Sequence, residues 1–130
     1  MSKPIAILSA ARTPIGGMLG SLSSLSAPDL GALAIAAAIE RSGADPSKID
    51  EVLMGSVLTA GQGQAPARQA ALAAGLAQST SCTTINKVCG SAMKSVMVAG
   101  NTLRSGQAGM VVAGGMESMS RAPYLIPEGR

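Results

Sequence analysis

No histidine occurs in the 130 residues. Its absence excludes an imidazole general base, a histidine metal ligand and any Ser-His or Cys-His pair formed within these residues. Acid–base chemistry must therefore rest on carboxylates, lysines or groups from elsewhere. Phe and Trp are absent too, and Tyr124 is the single aromatic, so there is no platform on which nucleic-acid bases would stack. Ten Lys and Arg against seven Asp and Glu leave a charge of +3, scattered singly along the chain. No basic stripe tracks a phosphate backbone, and no nucleic-acid partner is expected. Long apolar runs are missing: the longest, Leu30 to Ile39, is about half of what a membrane span needs and lies between Asp29 and Glu40. Met1-Ser-Lys-Pro4 leads straight into apolar residues without a cationic leader or cleavage site. Two cysteines, Cys82 and Cys89, are too few for a disulfide framework and match no zinc spacing. A reducing, cytoplasmic compartment and no membrane association are the expectation.

What is present is aliphatic. Hydrophobic residues make up 47% and charged residues 13%, which suits one folded domain over residues 1–130 rather than a disordered chain. Sixteen glycines point to closely packed backbones. The apolar pattern alternates β-like and helical stretches. Ile5–Ser9 reads as a buried strand, followed by a Gly/Pro/Ser-rich loop. A helix opens at Pro28-Asp29 and stops at Ser42-Gly43, because proline and an acid suit the first turn and glycine the end. Val52–Leu58 reads as a second strand. Pro66 opens a second helix, Ala67 to Ala74, closed by Gly75.

Cys82–Val88 reads as a third strand and Gly90–Arg104 as a third helix. Apolar nearly all round, that helix is expected in the interior. Gly109–Ala113 is the fourth strand, and Arg121–Arg130 reads as coil. The order β-α-β-α-β-α-β predicts an α/β fold with a mostly parallel sheet and helical cover.

Cys89 stands out at a strand-to-helix junction. A thiol there meets the unpaired N–H groups and positive end of the helix, which favour a thiolate and suit the oxyanion of an attacked thioester. The plain alternative is a small buried core thiol, and the local pattern leaves both open. Lys87 and Lys94 add positive field or are simply solvated charges. Cys82 reads as a buried hydrophobe. Glu117, after an apolar strand and two glycines, is a candidate functional acid, though a hydrogen-bonded structural role fits a lone carboxylate better. Gly61-x-Gly63-x-x-Pro66 fails as a dinucleotide fingerprint, since proline replaces the third glycine. No metal constellation is visible among the carboxylates.

At Asn86-Lys-Val-Cys-Gly-Ser-Ala-Met-Lys-Ser95 the chain resembles the thiolase family. Ser9-Ala-Ala-Arg-Thr-Pro-Ile-Gly16, the stretch Met54 to Ala70, and Val112-Ala-Gly-Gly-Met-Glu-Ser-Met-Ser120 extend the resemblance over essentially the whole chain. It implies reversible acyl transfer between CoA thioesters, with no metal or organic cofactor and coenzyme A as substrate carrier. Cys89 matches the nucleophile that carries the acyl group in a ping-pong cycle, and its N–H matches an oxyanion-hole donor. The third helix would be the buried central helix of a layered fold. The Cys82–Asn86 strand would lie near a dimer axis, so a homodimer or homotetramer is implied. The wording around Cys89 looks closest to acetoacetyl-CoA thiolases, which form acetoacetyl-CoA from two acetyl-CoA.

Broad-range 3-ketoacyl-CoA thiolases of fatty-acid breakdown are the alternative within the family. A non-catalytic short chain completed by a second polypeptide is the alternative outside it. Two departures stand against the family pattern: Ala92 replaces a usual glycine, and the activating His, the Asn segment, the second Cys, the CoA-binding loop domain and the second βαβαβ half are not in these residues. By the resemblance they would follow Arg130, and residues 1–130 alone are expected to be inactive.

Overall fold

The structure, a computed structural model, describes residues 4–129. Its elements are α1 (Ala27–Ser42), β1 (Glu51–Gly55), α2 (Pro66–Ala73), β2 (Ser81–Ile85), α3 (Ser91–Arg104) and β3 (Val111–Gly115). The three strands form one sheet in the order β2-β1-β3, and both pairings are parallel. Parallel neighbours need a crossover, and α2 and α3 supply it.

Local chemistry sets the helix ends. The Ser26 hydroxyl accepts from the Asp29 N–H at 3.2 Å, and the Asp29 carboxylate accepts from the Ser26 N–H at 3.0 Å. That reciprocal cap contributes about 1 kcal/mol. Gly43 closes α1 by donating its N–H to the Glu40 carbonyl. At the start of α2 the donor is satisfied from a distance: the Ala67 N–H donates to the Thr84 hydroxyl of β2 at 3.0 Å.

The sheet is covered on both faces. Val52 and Met54 point toward α1 and α2, where they join Ile35, Ala67, Ala70, Ala71 and Leu76 in the main core. Leu53 and Gly55 alternate to the opposite face, under α3. Leu53 is fully buried there, a burial that stabilises by about 1.5–3 kcal/mol. α3 meets the sheet through Ser91, Ser95 and Ala99, three small residues spaced by four on one stripe. Ser95, though buried, donates its hydroxyl to the Ser91 carbonyl at 3.1 Å.

Several expectations need correction. Ile5–Ser9 is not a strand: it runs extended, with Ile7 85% and Leu8 59% exposed. The segment runs beside α1, with Ser9 Oγ donating to the Ala38 carbonyl and, just past it, Arg41 donating to the Ala10 carbonyl. Three strands are therefore described where four were expected. β1 stops at Gly55 instead of Leu58, because after one more bond from Ser56 to Ile85 the Val57 and Leu58 N–H groups leave the ladder for a side chain described below. β2 stops at Ile85 instead of Val88, since the Val88 N–H turns back to Asn86 Oδ1 at 3.0 Å. β3 lies two residues later than Gly109–Ala113. α3 is covered on one side only. Met93, Val96 and Met97 on its other side are exposed, because the sheet reaches a single stripe and no described residue lies over the rest.

Candidate active site

Parallel pairing brings all three strands to an end along one edge. Gly55 of β1 is level with Ile85 of β2 and with Gly115 of β3. In α/β sheets this carboxyl edge is where ligands bind, because the loops leaving it converge. Three segments leave it here: 56–65, 86–90 and 116–118.

The 86–90 turn carries Cys89. It reverses through Val88, a β-branched residue at φ +47, a left-handed conformation that costs on the order of 1–3 kcal/mol. A hydrogen-bond net holds it: the Lys87 N–H donates to Ser91 Oγ at 2.8 Å, and Ser91 Oγ donates to the Val88 carbonyl at 2.6 Å. The Gly90 and Ser91 N–H groups donate to the Lys87 and Val88 carbonyls. Those two N–H groups, expected to be unpaired at the helix start, are thus already engaged. Among the described residues, the bonds of the turn leave out the N–H of Cys89 itself. The Cys89 thiol is free and exposed.

Below the turn, two glycines let α3 approach the sheet. A Cβ on Gly55 would lie 2.6 Å from the Ser91 carbonyl carbon, and one on Gly115 would lie 2.6 Å from the Ala92 Cβ. Only a residue without a side chain fits either position. The methyl of Ala92 is therefore accommodated by the bare Gly115.

Glu117 is the contact that the strand pattern did not reveal. Its carboxylate accepts from the Val57 N–H at 2.9 Å and from the Leu58 N–H at 3.2 Å, and it lies 3.5 Å from the hydroxyl of buried Ser56. These are the donors that end β1. The expectation of a hydrogen-bonded structural carboxylate agrees with this geometry. Glu-after-two-glycines hinted at it, but nothing local pointed to the partners.

Cys82 sits apart, half-buried at the edge of the main core, with its thiol donating to the Thr80 carbonyl at 3.4 Å. Burial pushes this thiol up from its ordinary value, against a smaller opposing effect of Arg68. It is a free thiol, like Cys89. Lys87 is exposed and Lys94 half-buried. Among the described residues, no three His, Cys, Asp or Glu side chains form a metal-binding group.

A depression of ≈ 150 Å³ lies between residues 11–13, α1 and the end of β3, lined by Arg12, Thr13, Leu30, Met116 and Glu117 but not by Cys89. Ligand sites for small molecules are typically about 300–1,000 Å³. An acyl-CoA thioester does not fit that depression. No helix of the described residues is long and apolar enough to cross a membrane.

Residues 5–130 match the family described as thiolase, N-terminal domain. Acetyl-CoA acetyltransferase 2 of Arabidopsis thaliana is 56% identical over 128 residues, covering 98% of this chain and 32% of that protein. The mitochondrial acetyl-CoA acetyltransferase of Xenopus tropicalis is 60% identical over 125 residues, covering 96% of this chain and 30% of that protein. The crystal structure of Acat5 thiolase from Ascaris suum in complex with coenzyme A is 47% identical, with a TM-score of 0.93 over 95% of this chain and 32% of that one. The chain thus spans 32%, 30% and 32% of the lengths of these three proteins.

Proposed function

The chain belongs to the thiolase family, and on that premise we propose that the protein carrying it transfers acyl groups between CoA thioesters, joining two acetyl-CoA into acetoacetyl-CoA. The observation that supports this most directly is the exposed Cys89 on the turn before α3, within a chain that matches the family along its length. The acetyl-CoA acetyltransferase names of its relatives favour the short acyl chain.

In the proposed cycle the Cys89 thiolate attacks the thioester carbonyl of acetyl-CoA. A carbon–sulfur bond forms to Cys89, the bond to the coenzyme A sulfur breaks, and coenzyme A leaves with the electron pair and takes up a proton. The Cys89 N–H is one donor to the intermediate oxyanion. A second acetyl-CoA, deprotonated at its methyl carbon, then attacks the acyl-cysteine. Acetoacetyl-CoA is released and Cys89 is regenerated. No histidine is in these residues, so the base for both proton transfers is not an imidazole of residues 1–130, and the resemblance assigns it to a histidine outside them. Coenzyme A enters only as the carrier of substrate, and no metal or organic cofactor is proposed.

We further propose a homodimer or homotetramer in a reducing compartment such as the cytoplasm. The uncovered face of α3 fits cover by the second half of the layered fold that the resemblance implies as well as by a second copy, so the dimer rests on the resemblance. The possibility that a second polypeptide covers that face is separated from self-assembly by the mass of the assembled particle.

Incubation with labelled acetyl-CoA, followed by proteolysis and mass spectrometry, tests the reading. The expected result is an acetyl group on Cys89, lost with turnover in Cys89→Ala. Turnover that survives Cys89→Ala, or acetylation confined to another residue, would refute it. Preference for long 3-ketoacyl chains in kcat/KM would move the substrate to the broad-range branch.

A further inference from the structure

We propose that Glu117 is a positioning residue for Cys89, acting through the 56–58 segment; the inference rests on the reading of Cys89 as the nucleophile. Glu117 and Cys89 leave the same edge of the sheet from different strands, and a short chain of hydrogen bonds joins them. Glu117 binds the N–H groups of Val57 and Leu58, one on each carboxylate oxygen. The neighbouring Ser56 is buried, and its N–H donates at 3.0 Å to the carbonyl of Ile85. Ile85 is the last residue of β2 and immediately precedes the 86–90 turn. On the other side, the Met116 N–H donates to the Gly55 carbonyl at 2.9 Å, so Glu117 is itself held in register with β1.

The chemistry of the acceptor matters. Two N–H donors converge on one side chain, and an ionised carboxylate offers two oxygens and no donor. A glutamine of the same shape offers one oxygen and turns an NH₂ toward an N–H. The 56–58 segment would then lose one anchor, and with it one support of the Ser56-to-Ile85 bond at the residue from which the 86–90 turn starts. The turn's own hydrogen bonds hold its shape, and the Ile85 bond sets where that turn sits against the start of α3.

The test uses the whole protein that contains this chain, as wild type, Glu117→Gln and Glu117→Asp. Iodoacetamide labelling rates at Cys89 and Cys82 are followed separately by mass spectrometry, alongside kcat and KM. Glu117→Gln is expected to slow Cys89 labelling about threefold or more and kcat about tenfold, with KM within about twofold. Cys82 labelling stays unchanged, and Glu117→Asp, still anionic, recovers part of the Cys89 rate. Unchanged Cys89 labelling would overturn the proposal. So would a parallel rise at both cysteines, which is general loosening, or failure of both variants to fold, which would make Glu117 a requirement of the fold. A wild type that never acylates Cys89 would instead refute the proposed function, while an effect of Glu117 on Cys89 labelling would still stand.

Discussion

Replacing Gly55 by alanine tests how the start of α3 is seated on the sheet. The added Cβ would lie 2.6 Å from both the carbonyl carbon and the Cβ of Ser91, and 2.7 Å from the Ala92 nitrogen. Ordinary carbon contacts lie near 3.5–4.0 Å, so about 1 Å of overlap must be relieved. The obstructing atoms are mostly backbone, and no rotamer change moves them aside. Either α3 lifts or β1 shifts, and overpacking of this kind costs about 1–3 kcal/mol. For a domain of this size that lowers the thermal midpoint by roughly 4–11 °C.

The comparison variant is Gly17→Ala, where an added Cβ meets nothing within 4 Å. Its effect should stay within about 0.5 kcal/mol, or be slightly stabilising through the unfolded chain. Midpoints for both variants are read by circular dichroism on the protein as it occurs. Equal midpoints for Gly55→Ala and Gly17→Ala would refute the seating argument.

Two more outcomes follow from the same geometry and from the charges. Gly115→Ala should destabilise by clashing with the Ala92 methyl, and adding Ala92→Gly should restore most of the loss; additive effects in that double-mutant cycle would show that the two sites do not touch. Asp50 accepts from the N–H groups of Gly109 and Met110, and these bonds hold its carboxyl below the ordinary value of 3.8. A depressed carboxyl stabilises above its unfolded pKa and loses that contribution as pH falls through the folded value. Asp50→Asn should therefore flatten the fall in thermal midpoint as pH drops below the ordinary value of 3.8, leaving a residual slope from Asp29 and Asp45, whose carboxyls are also lowered. An unchanged slope would show that the Asp50 bonds carry no linked proton.

The elements that the sequence reveals are those whose signals lie within one turn of chain. Ser26 with Asp29, Pro28 and Gly43 delimit α1 by contacts three residues apart, and the start is found to within a residue. Ile5–Ser9 shows the opposite case. Its continuous apolar run is that of a buried strand, yet a strand exists only where another strand offers a free ladder, and here no such pairing forms while Ser9 bonds to the Ala38 carbonyl of α1. The end of β1 is misjudged for a related reason. Val57 and Leu58 have strand-like side chains, but their N–H groups are claimed by a carboxylate 60 and 59 residues away. The apolar circumference of α3 predicts an interior helix, whereas among the described residues the sheet covers one stripe of it and Met93, Val96 and Met97 are exposed.

By itself, then, the sequence determined the alternation of helix and strand, the capping of α1 and the placing of Cys89 just ahead of a helix. Each depends on atoms a few residues apart. Tertiary structure alone decided that Glu117 meets Val57 and Leu58, that Gly55 and Gly115 receive the first turn of α3, and that Met93, Val96 and Met97 remain bare. Those outcomes depend on distances between atoms remote along the chain, which no local pattern encodes.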